Sequence, residues 1–545
     1  MATPRPTQSS ARLMSNPPED TSEERPAEQP EDQPDAQQEP TSERNEVRDA
    51  SILVFGRFMA MVAEAIMPFV IVRLLGKADF GAFTGLMLIY TTLSVVLTAG
   101  FPAAILFFLA GRDAEARFAI SRRLFGAVMG LGVIIGVVLY VVGLVGNDVL
   151  DAFGQWVSDD PQGERADLSY LKYFVAFPVL DVLARVFPNF LIAENRASKA
   201  ATFGVLRAIG MSAGMVIPAA LGLGVPGIVG GLTLFSLIQG AWIGRVFMQQ
   251  YRGVAHVPSE VSLGEMARFA YPLGLTDIIN NLNAAIDRYA ILLLMSAQLF
   301  AEYRAGAWQL PITAIAYSVG HVYMPRFVEL IKAEQPMTVI DLWRESIHKV
   351  SLIIIPICMI FVVGAEEFIR VAFTDDYLGA AQVFRIYVIY TMGRVASFGV
   401  LILAAGRSPL LFKASSFALV SNLVLTIPLA LWLGFIGPAL GTLLAFIPMV
   451  AVYCYYIADA LKVPFTHTFP VFIWLKVVLA ASAAAIPAVL LKNADLLHPL
   501  VGLVAYAIII IPMFTLIGRV TGLISSADLA FGLGWVRLKF LKSQG

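Results

Sequence analysis

From about residue 49 onward, the chain is a succession of apolar stretches of about 20 residues, the length a helix needs to cross the hydrocarbon core of a bilayer. Hydrophobic residues make up 58% of the chain and charged residues only 14%. A soluble domain of this size has too few polar side chains to cover so much apolar surface. The sequence therefore predicts an all-α integral membrane protein.

Windows of about 19 residues predict about fourteen transmembrane helices. The predicted spans are 50–73, 79–109, 122–146, 168–192, 199–222, 226–250, 265–295, 303–331, 339–365, 379–404, 409–432, 435–457, 467–490 and 496–520. Lys and Arg concentrate in the connections that follow even-numbered spans. Because basic loops remain in the cytoplasm, we expect both termini to be cytoplasmic.

The N-terminal segment differs in kind from the rest of the chain. Residues 1–48 are rich in Pro, Gln and Glu, a composition typical of a disordered acidic tail. No secretory signal is recognised near Met1. Cys358 and Cys454, the only cysteines, both fall within predicted spans, so we expect no disulfide. The net charge of −1 argues against a nucleic-acid partner.

Two connections between spans share a glycine pattern. Residues 223–231, LGVPGIVGG, join the fifth span to the sixth, and residues 433–441, LGFIGPALG, join the eleventh to the twelfth. Arg196 after the fourth span likewise corresponds to Arg407 after the tenth. Together these matches predict two pseudo-symmetric six-helix lobes, related by an axis along the membrane normal, with a substrate site at their interface.

The predicted organisation then has six parts. They are a disordered acidic cytoplasmic tail (1–48), an N-lobe (49–250), a cytoplasmic linker between the lobes (251–264), a C-lobe (265–457), two additional helices (458–524) and a cytoplasmic C-terminal tail (525–545). Alternating access by rocking of one lobe against the other follows from such an arrangement.

Several short motifs resemble those of bacterial polysaccharide exporters. Residues 73–83, RLLGKADFGAF, resemble the pattern R-L-L-G-x-x-x-[FY]-G-x-[FY] between the first two helices of that family. The further matches are Gly100 with Pro102, Pro272 with Asp287 and Arg288, Tyr303 with Ala305 and Pro325, and residues 405–407. Residues 48–520 are thus similar to the Wzx-type oligosaccharide flippases of the multidrug/oligosaccharidyl-lipid/polysaccharide (MOP) exporter superfamily.

The resemblance implies a fold like that of the MOP and MATE transporters, with about fourteen helices. It also implies movement of an undecaprenyl-pyrophosphate-linked oligosaccharide repeat unit across the bacterial inner membrane, for O-antigen, capsule or exopolysaccharide assembly. The implied partners are this lipid-linked oligosaccharide, membrane lipids, a polysaccharide polymerase and a chain-length regulator. An enzymatic activity is not expected.

Charged residues inside predicted spans are the candidates for function, because each costs about 2.5–3.5 kcal/mol at the bilayer centre unless it faces a cavity or a partner. Guanidinium groups match the oxygens of a pyrophosphate with forked hydrogen bonds. The residues expected to bind the cargo are Arg57, Arg185, Arg288 and Arg394, with Asn281 and Tyr390 beside them. Those that are candidates for coupling to H⁺ or Na⁺ are Glu64, Asp277 and Asp287.

Simpler interpretations of the same residues stay open at this stage. Arg185 can pair with Asp181 within one helix, and the candidate carboxylates can merely balance the arginines. The functional alternatives are a MATE-like cation-coupled drug antiporter, a lipid II flippase and, less well supported, a membrane glycosyltransferase or polymerase. No metal-binding motif, P-loop or nucleophile elbow occurs in the sequence, so no cofactor is predicted.

Overall fold

The computed structural model describes residues 60–157, 165–255, 257–494, 497–526 and 528. All regular secondary structure in these ranges is helical. This confirms the predicted all-α fold. A helix satisfies its backbone hydrogen-bonding groups within its own segment, which lipid cannot do for it.

The helices follow the predicted spans closely. They are α1 (Ala60–Ile71), α2 (Lys77–Thr98), α3 (Phe101–Leu109), α4 (Ala114–Val157), α5 (Phe177–Ala193), α6 (Ala197–Ala220), α7 (Gly224–Gln250), α8 (Leu263–Leu294), α9 (Ala297–Gly306), α10 (Thr313–Lys332), α11 (Pro336–Val363), α12 (Ala365–Ala372), α13 (Ala380–Gly393), α14 (Gly399–Ala404), α15 (Ser408–Leu433), α16 (Gly437–Leu461), α17 (Val471–Asn493) and α18 (Pro499–Val520). Short 3₁₀ turns, of which Leu168–Phe174 is the longest, connect some of them.

Eight helical segments of the described chain are long and apolar enough to cross a membrane, and a ninth is added if Leu168–Phe174 and α5, which meet at 70°, form one span. One of the eight, Ser408–Leu461, contains both α15 and α16. These two run antiparallel, since the hydroxyls of Ser415 and Tyr453 lie 3.1 Å apart while Gly441 packs on Thr426. The protein is therefore a multi-pass membrane protein, although the count of fourteen spans stays a prediction.

Besides span 168–192, three predicted spans are interrupted helices. Span 79–109 divides into α2 and α3 at Gly100, whose φ of +79° suits glycine. Spans 303–331 and 379–404 divide into α9 with α10 and into α13 with α14.

The fourth predicted span begins at a capped turn. Asp167 precedes the 3₁₀ turn and accepts a hydrogen bond of 2.8 Å from Asn147 and another of 2.8 Å from the Ser169 backbone N–H. Partial burial raises the pKa of the Asp167 carboxyl, but these hydrogen bonds outweigh it and lower the pKa overall. The turn then leads into α5, which carries charged residues of the candidate site.

The backbone supports the internal repeat. Arg196 and Arg407 are the N-cap residues of α6 and α15, with φ/ψ of −114°/47° and −103°/45°. The residue before each, Asn195 or Gly406, has a positive φ of 56° or 69°. Two loops matched only by sequence thus share one conformation. The predicted lobe and tail boundaries themselves stay a prediction.

The N-terminal half of the chain, up to residue 250, meets the C-terminal half along a line where α2 and α3 pack against α8 and α9. We call this line the central seam. A Cβ added at Gly81 on α2 would lie 2.0 Å from the carbonyl oxygen of Ala297 on α9. One added at Gly100 would lie 1.8 Å from the carbonyl oxygen of Ala270 on α8. Only glycine permits these approaches, as in other close helix contacts within membranes.

The close packing at the seam predicts that substitution by alanine affects stability differently at two glycines. Gly81→Ala places a methyl group into the Ala297 backbone and should lower the free energy of unfolding by about 2 kcal/mol. Gly126→Ala, on α4 with no atom within 4 Å of the added Cβ, should be neutral or slightly stabilising. Unfolding in detergent can be followed with a thiol-reactive dye, because Cys358 and Cys454 are both buried. Equal effects of the two substitutions would contradict the close packing.

Candidate functional site

A cavity of about 500 Å³ lies beside the central seam. Its walls come from α1, α2, α5 and α6 of the first half and from α8 and α9 of the second. The polar residues that line it are Glu64, Thr84, Thr91, Arg185, Arg207, Ser212, Arg288 and Arg304, and four of its apolar residues are Met67, Met87, Met211 and Met215. The cavity therefore combines four guanidinium groups with a flexible apolar wall.

In the first half, one buried carboxylate holds two of the arginines. Asp181 is fully buried on α5 and lies 2.9 Å from the Nε of Arg185 and 2.6 Å from a terminal nitrogen of Arg207 on α6. The Tyr90 hydroxyl donates a further hydrogen bond to Asp181. Arg185 also lies over the Tyr90 ring, with its Cζ 5.3 Å from the ring centroid. Asp181 thereby orients both guanidiniums at the cavity wall.

In the second half, the buried carboxylate bonds mainly to tyrosines. Asp287 on α8 accepts hydrogen bonds from the hydroxyls of Tyr387 and Tyr303, the second at 3.1 Å. The Nε of Arg288 lies 4.0 Å from Asp287, the outer limit of an ion pair, and Arg288 donates instead to the Ala284 carbonyl of its own helix. The Arg288 guanidinium and the Asp287 carboxylate are therefore only loosely paired.

Positive charge exceeds negative charge around the cavity. Among the described residues, four arginines are balanced by Glu64 on the wall and by Asp181 and Asp287 behind it. None of the described residues forms a hydrogen bond or an ion pair with the guanidinium group of Arg304. An anion would supply the missing partners.

The structure brings several of the sequence-predicted residues to this cavity. Arg185, Arg288 and Glu64 line it. Asp287 lies directly behind Arg288 on the same helix. Arg57 lies outside the described residues.

Other predicted residues lie elsewhere. Arg394 follows α13, donates a hydrogen bond of 3.0 Å to Gln309 and packs over the ring of Tyr390. Neither of the two is among the cavity-lining residues, and the same holds for Asn281 and the exposed Asp277 on α8. Their roles in cargo binding and ion coupling stay predictions.

Sequence reasoning missed Arg207, Arg304 and Tyr90. Arg207 is the only charged residue in the apolar part of α6 after Lys199, so the rule applied to the other intramembrane charges also selects it. Arg304 follows Tyr303 near the start of a predicted span, where membrane-edge arginines are common. Nothing local in the sequence distinguishes Tyr90, since its partner lies 91 positions away.

A set of contacts joins the loop between α1 and α2 to the second half, and we call it the seam latch. Lys77 at the start of α2 forms an ion pair of 2.7 Å with Glu302 on α9 and donates a hydrogen bond of 2.9 Å to the Asp376 carbonyl. Arg73 donates to the carbonyls of Val371 and Ala372 at 2.5 and 2.7 Å. The latch joins the loop between α1 and α2 to the second half, next to residues that line the cavity.

Comparison with known proteins bears on these observations. A family model described as "Polysaccharide biosynthesis protein" matches residues 47–331. No curated protein sequence matches the chain.

Solved structures with a similar fold exist. The lipid II flippase MurJ in an inward closed conformation aligns with a TM-score of 0.62 and 14% sequence identity, over 87% of this chain and 99% of MurJ. A multidrug resistance MATE family transporter of the MOP superfamily, in an inward-facing conformation, aligns with a TM-score of 0.50 and 15% identity, over 74% of this chain and 96% of its own. The MOP-type fold and the resemblance drawn from the sequence are confirmed.

The buried carboxylate yields a prediction for stability. Asp181→Asn removes the charge that compensates Arg185 and Arg207 and should lower the free energy of unfolding by about 3 kcal/mol. Tyr90→Phe removes one hydrogen bond and should cost only about 1 kcal/mol. Thermal unfolding in detergent, followed by exposure of the buried thiols, measures both. A smaller loss for Asp181→Asn than for Tyr90→Phe would show that Asp181 does not organise this wall.

Proposed function

The chain belongs to the polysaccharide biosynthesis protein family, and from this membership we propose that it moves an undecaprenyl-pyrophosphate-linked oligosaccharide repeat unit across the bacterial inner membrane. The cationic cavity beside the central seam is the observation that carries the proposal. A polymerase and a chain-length regulator stay partners predicted from the resemblance alone. Both termini are proposed to be cytoplasmic.

The chemistry of the cavity suits a pyrophosphate. Arg185 and Arg207 are oriented by Asp181, so little side-chain entropy is lost when they bind an anion. Arg288 and Arg304 line the same cavity from the second half, where Arg288 is only loosely paired with Asp287 at 4.0 Å. A pyrophosphate bridging the two pairs would receive charge-assisted hydrogen bonds from both halves.

A drug antiporter for lipophilic cations fits this cavity less well. Such a cargo needs an acidic or aromatic surface, whereas the lining has four arginines and one carboxylate. A desolvated cation beside these arginines would be repelled.

Transport then requires the two halves to open alternately. The seam latch connects the halves on the side predicted to face outward from the loop charges, and we propose that its release opens a path for the cargo to leave. Glu64 lines the cavity and Asp287 lies behind it, which keeps both as candidates for coupling to H⁺ or Na⁺. Asp277 is a weaker candidate because it is exposed and does not line the cavity.

The cavity arginines yield the first functional prediction. In proteoliposomes with a fluorescent undecaprenyl-pyrophosphate oligosaccharide, Arg207→Gln and Arg304→Gln should each reduce the flipping rate by about 10-fold or more, because each removes a charged donor. Arg326→Gln, which breaks an exposed pair with Glu329 within α10, is the matched control and should leave the rate unchanged. Full activity of both cavity variants would refute the site.

The seam latch yields the second prediction. Ser212→Cys places a thiol on the cavity wall, and the native cysteines are buried. Lys77→Met or Glu302→Gln should increase its labelling by an impermeant maleimide added outside intact cells about fivefold, which corresponds to roughly 1 kcal/mol.

Lys462→Met provides the control for the latch, because it breaks an exposed pair with Asp459 at the C-terminal end of α16. Labelling that is unchanged in both latch variants, or that rises equally in the control, would exclude the latch as an outer gate.

A further inference from the structure

A second cavity, of about 490 Å³, lies where α5 ends, α6 begins and α7 ends. It shares no lining residue with the cationic cavity beside the seam. Its lining residues include Phe187, Arg196, Lys199, Trp242 and Gln249. We call it the interfacial pocket.

The interfacial pocket changes from polar to apolar along the helix axes. Gln249 lies at the end of α7 and Arg196 and Lys199 at the start of α6, so the mouth is polar. Trp242, about two turns or about 10 Å from Gln249 along α7, and Phe187 on α5 line the apolar part of the pocket. This gradient matches that of a lipid, whose polar head group continues into an acyl chain.

The mouth also carries uncompensated positive charge. Within the described part of the chain, the side chains of Arg196 and Lys199 form no ion pair. The nearest carboxylate along the chain, Glu194, is buried and already bonded to Arg117 at 3.3 Å and to Tyr251 at 2.8 Å. It is therefore occupied by other partners.

We infer that the interfacial pocket binds an anionic phospholipid, with its phosphate between Arg196 and Lys199 and the start of an acyl chain along Trp242 and Phe187. Basic pockets between transmembrane helices on the cytoplasmic side suit acidic head groups, and each cation near the surface adds attraction. A soluble anion gains nothing from the apolar part of the pocket. A zwitterionic lipid gains less from the two cations.

Quenching of Trp242 by brominated lipid tests this inference. The full chain is reconstituted in phosphatidylcholine vesicles with increasing fractions of phosphatidylglycerol that carries brominated acyl chains. Because the chain has 7 tryptophans, the Trp242 contribution is the difference from Trp242→Phe in the same background. We expect brominated phosphatidylglycerol to quench this contribution in preference to brominated phosphatidylcholine.

Substitution of the mouth should remove the preference. Arg196→Gln and Lys199→Gln should each weaken it about fivefold, the effect of one cation near an anionic head group. Arg407→Gln and Lys413→Gln are matched controls, because Arg407 is the N-cap equivalent of Arg196 in the second half, and they should leave it unchanged. Arg196→Lys keeps the charge and should retain the preference, which separates charge from folding.

Three outcomes would overturn the inference. The first is equal quenching by the two brominated lipids. The second is an unchanged preference in the Arg196 and Lys199 variants, measured on protein that unfolds at the same temperature as the unsubstituted chain. The third is loss of the preference when inorganic phosphate is added in excess, which would identify a phosphate site without a lipid requirement.

Discussion

The contact on which the cationic cavity depends is the buried carboxylate of Asp181 between two guanidinium groups. A bare arginine inside a bilayer is costly, and so is a bare aspartate. Together they form a fixed unit, in which Arg185 and Arg207 each donate a hydrogen bond to Asp181 and also line the cavity. One carboxylate compensates only one of the two guanidinium charges, so the group keeps a net positive charge. That charge suits an anionic cargo.

The second half is built differently. Asp287 bonds mainly to Tyr303 and Tyr387, so Arg288 and Arg304 keep more of their charge uncompensated. The first half therefore provides preorganised donors and the second half more loosely held ones. A cargo that draws both sets together would favour closure of the halves around it.

Two kinds of contact join the halves along the central seam, close glycine packing and charged contacts. Gly81 and Gly100 bring backbones into direct contact, which makes the seam sensitive to any added side chain. Lys77 and Glu302 instead join the two halves through an ion pair of 2.7 Å. The proposed alternating access requires both a closely packed interface and contacts that open and close.

The sequence by itself determined the membrane class, the position of nearly every helix and the family resemblance, because the length and polarity of each apolar stretch are local properties. It also identified Arg185 and Arg288 as intramembrane charges that must face a cavity or a partner. Only the tertiary structure brought Arg207, Arg304 and Tyr90 to the same cavity and placed Arg394 away from it, because these contacts join segments far apart in the chain.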